Sequence, residues 1–277
     1  MSGLHGRFIW YELTTPDVAA ATTFYRDILG WSIGEASSPG TPYTLCKAGP
    51  TPVCGMLKLP ASACKMGARP TWTGFVGVDD VDVTAGRIPA LGGSVHVEPR
   101  DIPGVSRFAV VADPQGAAFA LFKWLRPDQP PAVAPDMPGQ AGWHELLAAD
   151  WVAVWPFYEQ LFGWQKQGGE NGETGKYQYF SQAMGPVGGM FNKPAMVPVP
   201  FWLHYFTCAD IDTAVGRVKS GRGQIVTGPM QVSASKWIVQ CTDPQGAFFA
   251  LIGPRNAGEL ARHRYDQITV FKTVRES

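Results

Sequence analysis

The sequence predicts an α+β fold in which one unit occurs twice in tandem, and three observations carry that prediction. Motifs recur in the same order along the 277 residues, at an offset that stays between 130 and 134. Each copy reads as a short strand, a helix and several strands, and then the same series again. Hydrophobic residues make up 45% of the chain and charged residues 17%, which supplies buried cores and excludes a disordered or collagen-like polymer. The length is nearly twice that of a usual compact domain, as a duplication requires.

The repeat is legible motif by motif. FIWYEL at 8–13 returns as AGWHEL at 141–146, and FY…LGW at 24–31 returns as FY…FGW at 157–164. VCGM at 53–56 matches VGGM at 187–190, and VDDVD at 78–82 matches CADID at 208–212. DPQGAAFALF at 113–122 matches DPQGAFFALI at 243–252. Between the copies, residues 125–141 carry five prolines. Proline fixes φ and removes a donor, so an extended tether is expected there. The expected division is a first unit at 1–126, a linker at 127–140, a second unit at 141–255 and a C-terminal extension at 256–277.

The elements follow in order. Residues 7–13 alternate as a strand does. Thr15, Pro16 and Asp17 then offer an N-cap, a first-turn proline and an early acid to open a helix. Ala21, Phe24, Tyr25 and Ile28 keep helical spacing, and Gly30 stops the helix. Strands are expected at 43–48 and 52–59. After the break at 67–70 come a strand at 71–78, a helix at about 81–90 and strands around Val95, Phe108 and Phe119. Asp113-Pro114-Gln115-Gly116 is a turn feeding the last strand. In the second copy Pro156 falls inside the first helix, so that helix either kinks or starts later than Asp150 suggests.

Several function classes are excluded or disfavoured by composition. Lys plus Arg, 23, equals Asp plus Glu, 23, and no basic block occurs, so neither a nucleic-acid nor a membrane-surface partner is expected. Apolar runs such as 201–206 are too short to span a bilayer, and residues 1–10 hold no signal-peptide stretch. The five cysteines include no CxxC pair, which reads as reduced thiols in a cytoplasmic protein. Ten tryptophans point to large aromatic walls. No P-loop, Rossmann fingerprint or GxSxG elbow is present. His5, His96 and His263 are expected to be solvated, and Met56 and Met190 to pack in the core.

The FY…GW helix ending, the VDDVD helix opening and the D-P-x-G turn, set in β-α-β-β-β units, resemble the vicinal oxygen chelate superfamily. That superfamily includes the glyoxalase I, bleomycin-resistance and extradiol-dioxygenase proteins, and the likeness runs twice over nearly the whole chain up to about Pro254. It implies two tandem vicinal-oxygen-chelate domains built of four β-α-β-β-β modules, each pair enclosing a cup. Metal-using members hold a divalent ion with side chains on the first, fourth, fifth and last strands. By the resemblance those positions fall here on Trp10, Gly55, Thr73 and Ala120, and on Trp143, Gly189, Leu203 and Ala250. Tryptophan, glycine, leucine and alanine offer a divalent cation no side-chain donor, and a lone threonine makes no site. The usual metal site is therefore expected to be absent.

Glu12 and Glu145 stand two residues beyond the tryptophans and should face the cups with them. A carboxyl on an apolar wall has a raised pKa and can serve as a general base or anchor a ligand donor. The structural alternative pairs each with an Arg or a backbone donor from the neighbouring module. Trp10 and Trp143 either stack an aromatic ligand or plug the cup. Gly55 and Gly189 either leave space or allow close strand packing. His144 and His204 lie one position past the ligand positions, so strand alternation points both away from the cup; a shifted register would make them a two-histidine metal candidate.

Three functions follow. The first is metal-independent binding of a small apolar or aromatic molecule, lined by the ten positions above and needing no cofactor. The second is a lyase or dioxygenase using Ni, Mn, Fe or Zn. The third is a scaffold with self-filled cups. The chain is expected to be a monomer with an internal pseudo-dimer, or a homodimer.

Overall fold

The computed structural model describes residues 3–35, 42–125, 134–172, 175–183 and 185–256. The first copy comprises β1 (Phe8–Thr15), α1 (Val18–Leu29), β2 (Ser32–Glu35), β3 (Thr44–Ala48), β4 (Thr51–Lys58) and α2 (Ala61–Lys65). It continues with β5 (Thr71–Gly77), α3 (Val81–Arg87), β6 (Ser94–Ile102), β7 (Ser106–Ala112) and β8 (Ala118–Trp124). The second copy comprises β9 (Ala141–Ala148), α4 (Trp151–Phe162), β10 (Gln165–Gly172), β11 (Gly175–Gln182) and β12 (Gly185–Asn192). It ends with β13 (Phe201–Thr207), α5 (Ile211–Ser220), β14 (Gln224–Gln231), β15 (Trp237–Thr242) and β16 (Phe248–Gly253).

Each copy forms one eight-stranded sheet, ordered β2-β3-β4-β1-β5-β8-β7-β6 and β10-β11-β12-β9-β13-β16-β15-β14. The two modules of a copy meet where their first strands pair antiparallel, β1 with β5 and β9 with β13. This is the α+β tandem architecture that the repeat predicts.

The first helix starts two residues later than expected. Asp17, not Thr15, is the cap, accepting from Ala20 N at 2.9 Å. Thr15 is unavailable because β1 runs on through it, pairing with Lys58 while its carbonyl accepts from Leu59 N. Gly30 ends the helix at φ 70°, a left-handed conformation that an L side chain rarely adopts. The third helix stops at Arg87 and gives way to a 3₁₀ turn at Pro89–Leu91, since Pro89 has no N–H to continue it. α2 and β2 are short elements that the sequence reading did not separate. α4 begins at Trp151, capped by Asp150, and is continuous across Pro156. Pro156 is exposed, so the carbonyl it leaves unpaired is on the solvent side of the helix.

The two copies share one core. Phe24 and Tyr25 of α1 pack on Phe249 of β16, while Phe157, Tyr158 and Phe162 of α4 pack on Phe119 of β8. The repeated motifs lock the copies together. Asp113 Oδ1 accepts from Gln115 N and Ala117 N to form its own turn, and Oδ2 accepts from Tyr158 OH at 2.9 Å in the other copy. Asp243 repeats this with Gln245 N, Ala247 N and Tyr25 OH at 3.1 Å. Trp72 Nε1 donates to Tyr25 OH, and Trp202 Nε1 to Tyr158 OH. Trp31 Nε1 reaches the Gly139 carbonyl at 2.8 Å, and Trp164 Nε1 the Gly6 carbonyl at 2.7 Å.

Residues 126–133 of the expected tether and 257–277 of the expected extension, with His263, lie outside the described residues. The described end of the tether is packed, not extended. Gly139 N donates to Thr207 O, Thr207 N to Gln140 O and Thr207 Oγ1 to Pro135 O. His5 is not solvated either: its ring stands edge-on to Phe162, 3.8 Å from Asp79. Met56 and Met190 are fully buried, and all five cysteines are free thiols.

Candidate functional site in the sheet faces

The face of each sheet turned away from the shared core is the one that the resemblance makes a cup. Strand register gathers the predicted residues there. On the first sheet Glu12 lies opposite Gly55 of β4 and Thr73 of β5. Trp10, two residues earlier on the same face, lies opposite Phe75, which pairs with Ala120 of β8. On the second sheet Glu145 lies opposite Gly189 and Leu203, and Trp143 opposite Tyr205, which pairs with Ala250.

The space over each glycine is filled by a tyrosine from the next strand. A Cβ at Gly55 would overlap the Tyr43 ring, and one at Gly189 the Tyr177 ring. Both earlier alternatives for these glycines give way to this one: they are small so that a tyrosine hydroxyl can reach the neighbouring glutamate. Trp143 Nε1 donates to Tyr177 OH at 2.9 Å, and Tyr177 OH donates to Glu145 Oε1 at 2.9 Å. An indole N–H can only donate, so the tyrosine proton is directed onward to the carboxylate. From the other side Gln240 Nε2 donates to Tyr205 OH at 2.9 Å, and Tyr205 OH to Glu145 Oε2 at 2.6 Å. In the first sheet Trp10 Nε1 donates to Tyr43 OH at 2.9 Å, and that hydroxyl lies within reach of the Glu12 carboxyl, whose pKa it lowers. The partners of both glutamates are thus tyrosines, not the Arg or backbone donors of the structural alternative.

These carboxyls are poised between two protonation states. Burial pushes Glu12 up to about 7, opposed by its bond from Tyr43. Burial likewise pushes Glu145 up to about 7, against the bonds from Tyr205 and Tyr177. Burial also raises Tyr43, Tyr177 and Tyr205 above the usual phenol range, with the adjacent glutamate adding to each, so the hydroxyls stay protonated donors.

Sequence reasoning missed Tyr43, Tyr177, Tyr205 and Gln240. For the first two a signal exists, because Tyr43 and Tyr177 keep the same offset, 134, as Gly55 and Gly189. Tyr205 and Gln240 align with Phe75 and Val110, so the repeat gives no sign of them.

His144 and His204 point into the core between the sheets, as strand alternation predicts. His144 stacks on Phe8 with centroids 4.3 Å apart, and its Nδ1 is 2.9 Å from the Val187 carbonyl. That carbonyl can only accept, so Nδ1 carries the proton and Nε2 accepts from Tyr11 OH at 2.5 Å. His204 lies beside Phe8, Tyr11 and His144, and neither of its nitrogens has a hydrogen-bond partner. Burial lowers His144 to about 4 and His204 well below the usual imidazole range.

The residues present do not fit the superfamily's divalent ion. Of the four positions on each sheet only Thr73, on the first, carries a side-chain oxygen, and the fourth-strand position of both sheets is covered by a tyrosine ring. Among the described residues no group of three or more His, Cys, Asp or Glu side chains could hold a metal. A surface cleft of about 620 Å³ opens elsewhere, beside Ile28, Gly30, Asp210 and Arg217, and contains none of the predicted site residues.

The sequence profile of the Glyoxalase/Bleomycin resistance protein/Dioxygenase superfamily matches residues 7–121 and 143–251. The "Putative glyoxylase CFP32" of Mycobacterium tuberculosis (strain CDC 1551 / Oshkosh) is 29% identical over 88% of this chain and 94% of its own. The "Anthracycline biosynthesis protein DauV" of Streptomyces sp. (strain C5) is 29% identical over 90% of this chain and 93% of its own. Among solved structures, the Mn(II)-bound glyoxalase from Novosphingobium aromaticivorans superposes with a TM-score of 0.61 at 15% identity, covering 90% of this chain and 82% of that one. At that identity the likeness is one of fold.

Proposed function

The chain belongs to the Glyoxalase/Bleomycin resistance protein/Dioxygenase superfamily, and from that membership we propose that it binds a small, largely apolar or aromatic molecule at its sheet faces without a divalent ion. One observation carries the reading. Where metal-using members need ligands, this chain builds a Trp–Tyr–Glu hydrogen-bond chain that ends on a carboxyl set in an aromatic wall. Such a wall suits a planar molecule, and the carboxyl accepts from a ligand N–H or O–H. The tyrosine over each glycine and a metal-ligating side chain at that glycine are mutually exclusive, because both need the same space. The relative named for anthracycline biosynthesis supports an aromatic ligand class, an anthracycline being a fused-ring aromatic.

The test combines two measurements on the full chain. Titration with planar aromatics, an anthracycline among them, is expected to quench tryptophan fluorescence saturably. Exposure to Ni, Mn, Fe and Zn followed by desalting is expected to leave no ion in stoichiometric amount by mass spectrometry. Near-stoichiometric retention of one ion would overturn the reading in favour of a metal-dependent lyase or dioxygenase. Absence of quenching by every aromatic would overturn it in favour of self-filled faces.

A further inference from the structure

The two sheet faces carry the same Trp–Tyr–Glu chain, yet they differ around the carboxyl. Glu145 is saturated: both oxygens accept tyrosine hydroxyls, and the residue is 6% exposed. Its second donor, Tyr205, is matched on the first sheet by Phe75, and the Gln240 that orients Tyr205 is matched by Val110. Among the described residues Tyr43 alone donates to Glu12, which leaves acceptor capacity on that carboxyl.

The surroundings change in the same sense. Around Glu145 stand Leu147, Leu203, Phe191 and Phe201, of which Leu147 and Leu203 are 4% and 1% exposed. At the equivalent places around Glu12 stand Thr14, Thr73, Leu57 and Thr71. Three of the four have exchanged a large apolar side chain for a small hydroxyl one, and Glu12, Thr14 and Thr73 are all partly exposed. Bulk and hydrogen bonds together close the second carboxyl and leave the first within reach. Aromatic surface remains beside it, since Phe108 and Trp124 of the first sheet are also only partly buried.

We propose that the first sheet face alone is the ligand-reading site, where Glu12 accepts a hydrogen bond from a hydroxyl or amine on a planar aromatic molecule, and that the second face is its closed structural counterpart. The inference rests on the binding function proposed above and assigns it to one face and one acceptor. Thr73 lies beside Glu12 in register and supplies a second polar contact at the same place.

The experiment has a binding arm and a chemical arm. Isothermal titration of the full chain at pH 8 uses 2-naphthol and its donor-free analogue 2-methoxynaphthalene as probes. The expected result is one site per chain and at least tenfold tighter binding of the naphthol. Glu12→Gln and Phe75→Tyr should each reduce that preference at least severalfold, the first by replacing a charged acceptor with a weaker neutral amide oxygen and the second by giving Glu12 the donor that Glu145 already has. Glu145→Gln should preserve it. In the chemical arm, carbodiimide coupling of an amine followed by peptide mass spectrometry should label Glu12 and spare Glu145. Two equivalent sites, loss of the preference in Glu145→Gln but not in Glu12→Gln, or equal labelling of both carboxyls would overturn the proposal. If neither naphthalene binds while Glu12 is selectively labelled, the binding function and the ligand class fall, and the inequality of the two carboxyls stands.

Discussion

At the scale of single residues, His204 is the sharpest case of a polar group held against its preference. It is 1% exposed, both nitrogens lack partners, and its ring fills the space over Gly74. A buried unpaired donor costs about 1–3 kcal/mol, whereas an apolar group of similar volume carries no such penalty. His204→Leu should therefore be at least as stable as the wild type at pH 7.5 in urea unfolding. Its pH dependence has a definite sign. Burial depresses the folded pKa of His204 far below its ordinary 6.5, so it adds no protonation penalty above pH 6.5 and destabilises the fold increasingly as the pH falls below that value. The stability advantage of His204→Leu should therefore widen as the pH falls below 6.5. Glu12 and Glu145 act oppositely: with folded values raised to about 7 from 4.5, their contribution is full below pH 4.5 and is lost as the pH rises through 7. Both variants share those carboxyls, so the difference between the two curves isolates the histidine. Parallel curves would show that His204 finds a partner.

At the scale of elements, the glycines of β4 and β12 set the chemistry of each sheet face by what they admit. Gly189 has an ordinary strand backbone, so its role is steric and not conformational. Gly189→Ala forces the Tyr177 ring aside, and Glu145 then loses one donor while remaining buried. Overpacking and a lost charge-assisted bond together should cost about 2–4 kcal/mol, read by chemical denaturation. A cost under about 0.5 kcal/mol would mean that the tyrosine is not held there.

At the scale of the whole molecule, the copies behave as one body, because the helix of each inserts its aromatic pair against the other's last strand. Tyr25→Phe and Tyr158→Phe each remove the hydroxyl bound to a buried aspartate, Asp243 or Asp113, which is 3% exposed. Each should cost about 1.5–3 kcal/mol, and the two costs should add. Calorimetry should show a single transition for the wild type and for both variants. Two transitions, with each substitution shifting only one, would refute the shared core.

The duplication, the α+β class, the strand alternation and the helix stops at Gly30 and Gly163 are determined by the sequence alone. They rest on local backbone preferences and on repetition, which need no knowledge of contacts. The outward turn of Trp10 and Glu12 and the inward turn of His144 follow from the same period-two rule. The partners of the glutamates, the meaning of Gly55 and Gly189, and the cross-copy locks were decided by tertiary structure. Tyr205 lies 60 residues from Glu145, and Tyr25 lies 218 residues from Asp243. Register and packing bring such residues together, and neither is encoded in any window of the chain short enough to read by pattern. The unequal exposure of Glu12 and Glu145 belongs to the same class: matching W-x-E-L motifs acquire different surroundings because most of their differing neighbours arrive from other strands.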